Sequence, residues 1–372
     1  MDEGESGANA RSRKKPTTEK KQNGRKSASV PGKPRERYAA LDLGTNNCRL
    51  LIAAPNGKEL RIVDAFSRIV RLGEGVSTSG VLSEPAMQRT LDALKVCAEK
   101  ISRRGVTHMR CIATQACRGA ENGAAFLGMI REQTGLTLEI ISTEEEARLA
   151  AAGCMDLIDE AAPAALIFDI GGGSTELSWI VRDGEAAALS VAAWTSLPFG
   201  VVSLAERWGG RDLDAETYEK MVEEVRAGVA AFGDPARLRP HFEKDAAHLL
   251  GTSGTVTSIA GVHLELDRYR RELVDGLWLT LPRTREVTEK LRAMSFDDRA
   301  SEPCIGVERA DLVVCGCAIL EALAREWPAT RIRVADRGLR EGILADLAAE
   351  ARQKRKQRRR RRRRRRPRKT KD

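Results

Sequence analysis

An apolar segment that ends in aspartate and runs straight into a glycine turn occurs twice in this chain, 127 positions apart. The first is Tyr38-Ala39-Ala40-Leu41-Asp42, followed by Leu43-Gly44-Thr45-Asn46. The second is Ala165-Leu166-Ile167-Phe168-Asp169, followed by Ile170-Gly171-Gly172-Gly173-Ser174-Thr175. Each turn leads into a second strand, at 48–54 and 176–181, and then a third, near 60–70 and 187–193. The repeat predicts an α/β chain with two related domains facing one cleft.

Such turns suit an anion. Gly44 lets the backbone turn tightly with its N–H groups toward the cleft, and Thr45 and Asn46 add short polar groups. Taken alone, this first turn reads equally well as a plain hairpin. The second changes the balance, because three consecutive glycines lose backbone entropy that an ordinary turn need not lose. Gly171, Gly172, Gly173, Ser174 and Thr175 therefore read as a phosphate loop. Asp169 and Glu176 flank it as a carboxylate pair of the kind that holds Mg²⁺ through water.

Two further segments are open to two readings each. Gly251-Thr252-Ser253-Gly254-Thr255 follows a strand at 247–251 and opens a helix at 256–266. Gly251, Ser253 and Gly254 could form a third anion site at the helix start, or the segment could be a start capped by Ser/Thr. In Ser142-Thr143-Glu144-Glu145-Glu146-Ala147-Arg148, acidic residues favour a helix N-terminus through the dipole, which accounts for Glu144. A carboxylate at this domain junction could instead orient and deprotonate water.

The periodicity predicts helices at 84–103 (with Met87, Leu91, Leu94, Ala98 and Ile101 on one face), 124–133, 144–157, 201–208, 215–232, 285–294 and 309–326. Strands are expected at 109–113, 138–141 and 332–335. Domain I then covers 38–144 with 331–347, and domain II covers 145–330.

Charge is unevenly distributed. The chain carries +10, of which 1–37 hold +6 and 351–372 hold +15, leaving −11 for the body. A generally basic, nucleic-acid-binding fold is therefore excluded, and any such role falls on the tails. Residues 1–37 and 348–372 are expected to be disordered. Arg358–Arg366 is an unbroken arginine run that reads either as a solvated tail or as a segment capturing polyphosphate or nucleic acid. The eight cysteines lie scattered in apolar segments without metal-ligand spacing and are expected to be reduced. No apolar run approaches the ~20 residues of a membrane span, so a cytoplasmic location is expected.

Taken together, Asp42–Asn46, Ala113-Thr114-Gln115-Ala116-Cys117-Arg118, Asn122-Gly123, Ile141–Arg148, Phe168–Glu176, Pro198-Phe199-Gly200 and Gly251–Thr255 resemble the Ppx/GppA family in order and spacing. So do Glu308-Arg309-Ala310-Asp311 and Asp336-Arg337-Gly338-Leu339-Arg340-Glu341-Gly342. The resemblance spans about 38–347. It implies the actin-like (ribonuclease H-like) ATPase fold and hydrolysis of polyphosphate or guanosine pentaphosphate, with Mg²⁺ as cofactor and K⁺ as a candidate activator. It further implies that Glu146 activates water, that Arg118 contacts the substrate phosphate, and that Asp169 and Glu176 place the metal. Arg49 is a weaker candidate for the same contact, and reads equally as a solvated strand residue. Thr143 departs from the family's usual glycine. The fold is expected to end near 347, without the extra C-terminal helical region of longer members. A homodimer is the default expectation for a soluble enzyme.

Two other classes compete with the hydrolase. A sugar kinase or chaperone ATPase of the same fold would share the phosphate loops, but not the segments 113–118 and 144–148. A non-enzymatic nucleotide- or polyanion-binding protein would keep the loops and need no base.

Overall fold

The computed structural model describes residues 36–364 apart from 58, 183 and 185–187. The chain opens with β1 (Tyr38–Leu43), β2 (Asn47–Asn56) and β3 (Glu59–Ile69). It continues through α1 (Val76–Ser79), α2 (Glu84–Arg103), β4 (His108–Ala113), α3 (Gln115–Gly119), α4 (Gly123–Thr134), β5 (Glu139–Ile140) and α5 (Thr143–Cys154). The strands form a sheet in the order β3-β2-β1-β4-β5. β1 to β3 are antiparallel, and β4 and β5 run parallel to β1.

The second half begins with β6 (Ala164–Ile170), β7 (Thr175–Arg182), β8 (Leu189–Leu197), α6 (Val201–Trp208), α7 (Ala215–Phe232) and α8 (Arg239–Glu243). It goes on with β9 (Ala247–Thr252), α9 (Gly254–His263), α10 (Arg271–Val274), β10 (Trp278–Thr280), α11 (Leu281–Ala293) and α12 (Phe296–Ser301). It ends with α13 (Val313–Glu326), β11 (Arg331–Ala335) and α14 (Leu339–Arg364). Its sheet has the order β10-β11-β9-β6-β7-β8. Apart from the edge strand β10, order and strand direction repeat those of the first sheet. This duplication is the actin-like, ribonuclease H-like architecture of two related domains around a cleft.

Side-chain patterning explains the layers. On α2, Leu91, Leu94, Cys97 and Ile101 recur at helical spacing and are buried with Leu41, Leu50 and Ile52 of the first sheet. Removing four such side chains from water is worth on the order of 6–12 kcal/mol before chain entropy is counted. The second domain has the larger core, in which Trp179 meets Trp327 edge-on with ring centroids 6.0 Å apart. All eight cysteines are buried and unbonded. Among the described residues no helix is long and apolar enough to cross a membrane.

The last helix of each half covers the sheet of the other. Ala151 and Cys154 of α5 pack with Ala165, Ile167 and Ile180 of the second sheet. Leu339, Ile343, Leu344, Ala348 and Ala351 of α14 pack with Tyr38, Ala40, Leu51 and Ala53 of the first. The two helices touch through glycine: a Cβ at Gly342 would lie 2.1 Å from the Leu149 carbonyl oxygen, and one at Gly153 would lie 1.9 Å from that of Gly338.

Two expected boundaries change. Residues 331–335, assigned above to domain I, pair with β9 and belong to the second sheet; only the following helix returns to the first. The segment from 348, expected to be disordered, continues α14 to Arg364. Its start is already docked, so each added residue lengthens an existing helix without the nucleation penalty, and Arg is a good helix former. Residues 1–35 and 365–372, the rest of the expected disordered tails, lie outside the described residues, as does Ala187 of the expected strand 187–193; the observed strand is Leu189–Leu197.

Candidate active site

β1 and β6 end side by side at a cleft of about 960 Å³ lined by both domains. Across the first hairpin Asp42 stands opposite Arg49, and across the second Asp169 stands opposite Glu176. The turns match to the hydrogen bond: Gly44 N–H donates to the Asn47 carbonyl at 2.9 Å, and Gly171 N–H donates to the Ser174 carbonyl at 2.9 Å. Those two amides close the turns and are not free for a ligand, contrary to the expectation for Gly44 and for Gly171. The loops also meet each other, since a Cβ on Gly172 would lie 2.9 Å from Thr45 Cβ and 3.2 Å from Asn46 Cβ. Gly173 sits similarly against Gln115 and Thr45.

Unsatisfied polar atoms mark where a ligand belongs. Asn46 Oδ1 and Ser253 Oγ are buried without a hydrogen-bond partner, a costly condition unless something polar enters the cleft. Ser253 also holds φ +94°, in the region that favours glycine, and its side chain does not cap α9. The capping reading of this segment therefore fails, while Ser253 and Gly254 line the cleft.

Two expected phosphate ligands are corrected. The Thr175 hydroxyl donates to the Phe199 carbonyl at 2.6 Å inside the second domain. Gly251 is glycine for packing, because a Cβ there would lie 2.4 Å from the Phe168 ring. Both follow from the strand alternation, which turns every second residue of β7 and β9 away from the cleft.

The three glutamates of α5 have three environments. Glu144 is exposed in the first turn, where Ser142 Oγ accepts from the Glu145 amide and caps the helix. Glu145 accepts from Arg110 at 2.8 Å and Arg148 at 2.7 Å, and the Arg148 hydrogen bond foremost holds its carboxyl down near pH 2. Glu146 turns into the cleft, and burial, then repulsion from Glu176, push its carboxyl up to about 8 against the pull of Arg118.

Arg118 lies behind this carboxyl. It donates to Glu146 Oε2 at 3.1 Å, to the Ile141 carbonyl at 2.8 Å and to Gln115 Oε1 at 2.8 Å. Its guanidinium thus fixes the base. Glu176 is held by the hydroxyls of Ser174 at 2.7 Å and Ser196 at 2.8 Å, and burial raises its carboxyl. Burial and the charge of Glu176 push Asp169 up to about 7. Burial also raises Asp42, with Arg49 and Arg340 opposing. The cleft is therefore short of positive charge at its acidic end.

Positive charge lines the same cleft. Arg49, Arg309 and Arg340 line it, and none forms a side-chain hydrogen bond or ion pair among the described residues. Arg340 is the residue sequence reasoning passed over. Its signal was present in the segment Asp336–Gly342, but nothing in a linear reading showed that β11 ends at the cleft. The mouth is bridged by Arg71, which pairs with Asp311 at 2.9 Å and donates to the Glu308 carbonyl at 3.1 Å. Beside it, Glu206 accepts from the Gly75 amide at 2.7 Å.

A family model described as the Ppx/GppA phosphatase family matches residues 51–351. The chain is 31% identical over 325 residues to Exopolyphosphatase 2 of Mycobacterium tuberculosis, covering 84% of this chain and 98% of that protein. It resembles the crystal structure of the Aquifex aeolicus Ppx/GppA family member with a TM-score of 0.70 and 26% identity, over 86% of this chain and 99% of that one. An exopolyphosphatase from Cytophaga hutchinsonii shares the fold with a TM-score of 0.75 and 24% identity, over 83% and 97% of the two chains.

Proposed function

The chain belongs to the Ppx/GppA phosphatase family, a family of phosphoanhydride hydrolases, and from that premise we propose that it is an exopolyphosphatase releasing the terminal phosphate of inorganic polyphosphate. The observation that carries the mechanism is the partly buried Glu146 carboxyl, which lines the cleft together with both glycine loops and is clamped by Arg118 at 3.1 Å. A carboxylate there can accept the proton of a water as the water oxygen bonds to the terminal phosphorus. The anhydride P–O bond then breaks, and the shortened chain leaves with the bridging oxygen. Because its proton affinity is near that of a working base at neutral pH, Glu146 is matched to that task.

The remaining groups act by position and charge. Backbone amides of Gly172 and Gly173, with the Thr45 and Ser253 hydroxyls and Asn46, face the terminal phosphoryl group. Arg49, Arg309 and Arg340 offset charge spread over its oxygens in a loose transition state.

The donor chemistry at the acidic end fits Mg²⁺. Among the described residues no group of three or more His, Cys, Asp or Glu is gathered to cage a metal, and Mg²⁺ characteristically takes one or two carboxylates plus waters and substrate phosphates. Asp169 and Glu176 would hold it, and it would supply charge neutralisation between the phosphates when bound.

Phosphate release from polyphosphate by the wild type and by Glu146→Gln tests the proposal. Loss of release with retained polyphosphate binding is expected; wild-type rates in the variant would remove Glu146 from the mechanism. Guanosine pentaphosphate assayed in parallel tests the alternative substrate.

A further inference from the structure

The arginine run lies outside the cleft, and its residues 358–364 belong to α14. α14 begins at the cleft, where Gly338 and Arg340 line the floor, and its apolar stripe holds the first sheet through Ala351. Arg355 then pairs with Glu36 at 2.5 Å, just ahead of β1. Residues 352–358 are all exposed, and the helix continues through the arginines to Arg364. Residues 351–364, the end of α14, carry +11 against the −11 of the body. Long-range attraction for a polyanion is therefore concentrated on this helix, while the body repels it.

We propose that the arginine end of α14 is a docking surface for the distal part of a polyphosphate chain, an inference that rests on the exopolyphosphatase reading. Two observations favour polyphosphate over nucleic acid. The segment 339–372 contains no Phe, Tyr or Trp on which a base could stack. A dense run of guanidinium charges suits a bare phosphate chain, which asks for charge and nothing else. Eighteen residues separate Arg340 from Arg358, about 27 Å along a helix at 1.5 Å per residue. A short oligophosphate bound in the cleft cannot reach the run. A long chain can be held by both, and the second contact becomes intramolecular. Docking therefore lowers KM for long chains only, and the effect fades with salt as counterion release is lost.

The test uses the full chain with Arg358→Gln through Arg364→Gln, assayed on long polyphosphate and on tripolyphosphate at low and high salt. At low salt, KM for the long chain should rise about tenfold with kcat unchanged, and KM for tripolyphosphate should not move. An unchanged KM for the long chain overturns the docking surface while leaving the enzyme intact. Direct binding of labelled long polyphosphate in a Glu146→Gln background separates the two levels of the argument. If no polyphosphate is hydrolysed by either protein, the exopolyphosphatase reading fails, and weaker binding in the arginine variant still supports docking. If single-stranded RNA of equal charge displaces bound polyphosphate at lower concentration, the surface is assigned to nucleic acid and the proposal falls.

Discussion

Arg49 and Glu176 occupy the same register position of two matching hairpins, one opposite Asp42 and the other opposite Asp169. The backbone duplication is thus broken in charge at the point where it meets the substrate. The first domain offers a cation–carboxylate pair and the second a carboxylate pair. On the exopolyphosphatase reading, a phosphate chain lying between them meets a guanidinium on one side and a carboxylate pair on the other.

On the exopolyphosphatase reading, that asymmetry assigns Arg49 a contact with the substrate phosphate. Arg49→Ala should lower kcat/KM for polyphosphate by about a hundredfold, the usual loss when one preorganised donor is removed from a charged transition state. Arg49→Lys should recover only part, because a point charge cannot reproduce the planar fork. Steady-state kinetics at fixed Mg²⁺ reads both, and a wild-type value for Arg49→Ala would return the residue to a solvated strand position.

Glu146 governs the pH dependence. Burial foremost, and then the charge of Glu176, push its carboxyl up to about 8. A base works only when deprotonated, so kcat/KM should rise with pH through neutrality and level off above that value. Bound cation should draw the rise to lower pH, since added positive charge favours the carboxylate. A pH–rate profile at two Mg²⁺ concentrations checks the shift. In Glu146→Gln the rate should be down by at least about a hundredfold and this rising limb should vanish.

Much of this was legible in the chain, and the failures have physical causes. The bounds of α2, α6 and α7 follow from apolar spacing and agree with the structure to the residue. The second loop was visible because three consecutive glycines are costly in an ordinary turn, whereas Glu146 was singled out only by the family resemblance, since a helix N-terminus by itself accounts for acidic residues. Thr175 and Gly251 were misjudged because proximity in sequence to a loop says nothing of which strand face a side chain takes. Arg340 was invisible because its place depends on β11 joining a sheet built from residues more than 80 positions earlier. The helical arginines were missed because their helix is an extension of a docked one, free of the nucleation penalty, and like-charge repulsion at i,i+4 costs only a few tenths of a kcal/mol per pair.

Asp64 ties β3 to α2, accepting from Lys100 at 2.8 Å and Arg104 at 2.7 Å, and the Lys100 hydrogen bond foremost holds its carboxyl down to about 2. A carboxylate depressed in the folded state stabilises above its unfolded pKa and loses that contribution as pH falls through the folded one. The window is therefore about pH 4 down to 2. Asp64→Asn should lower the midpoint of thermal unfolding at pH 7 by a few degrees and flatten its fall over that acid range. Calorimetry between pH 7 and 2.5 checks it, and an unaltered acid limb would mean that the pair contributes nothing.

The helix crossing gives a prediction whose sign is informative. In an exposed helix Gly→Ala stabilises by about 1 kcal/mol, because alanine loses less entropy. At Gly342 the added Cβ would lie 2.1 Å from the Leu149 carbonyl oxygen, so α14 and α5 cannot keep their approach. Gly342→Ala should therefore destabilise by about 1–3 kcal/mol, the range for overpacking a tight contact. Both helices also carry site residues, Glu146 on α5 and Arg340 on α14. Separating them should move the base relative to the arginine and lower kcat in the fraction that remains folded. Denaturant unfolding together with kinetics normalised to folded protein reads both effects. A stabilised Gly342→Ala would show that the two helices are not held at this crossing.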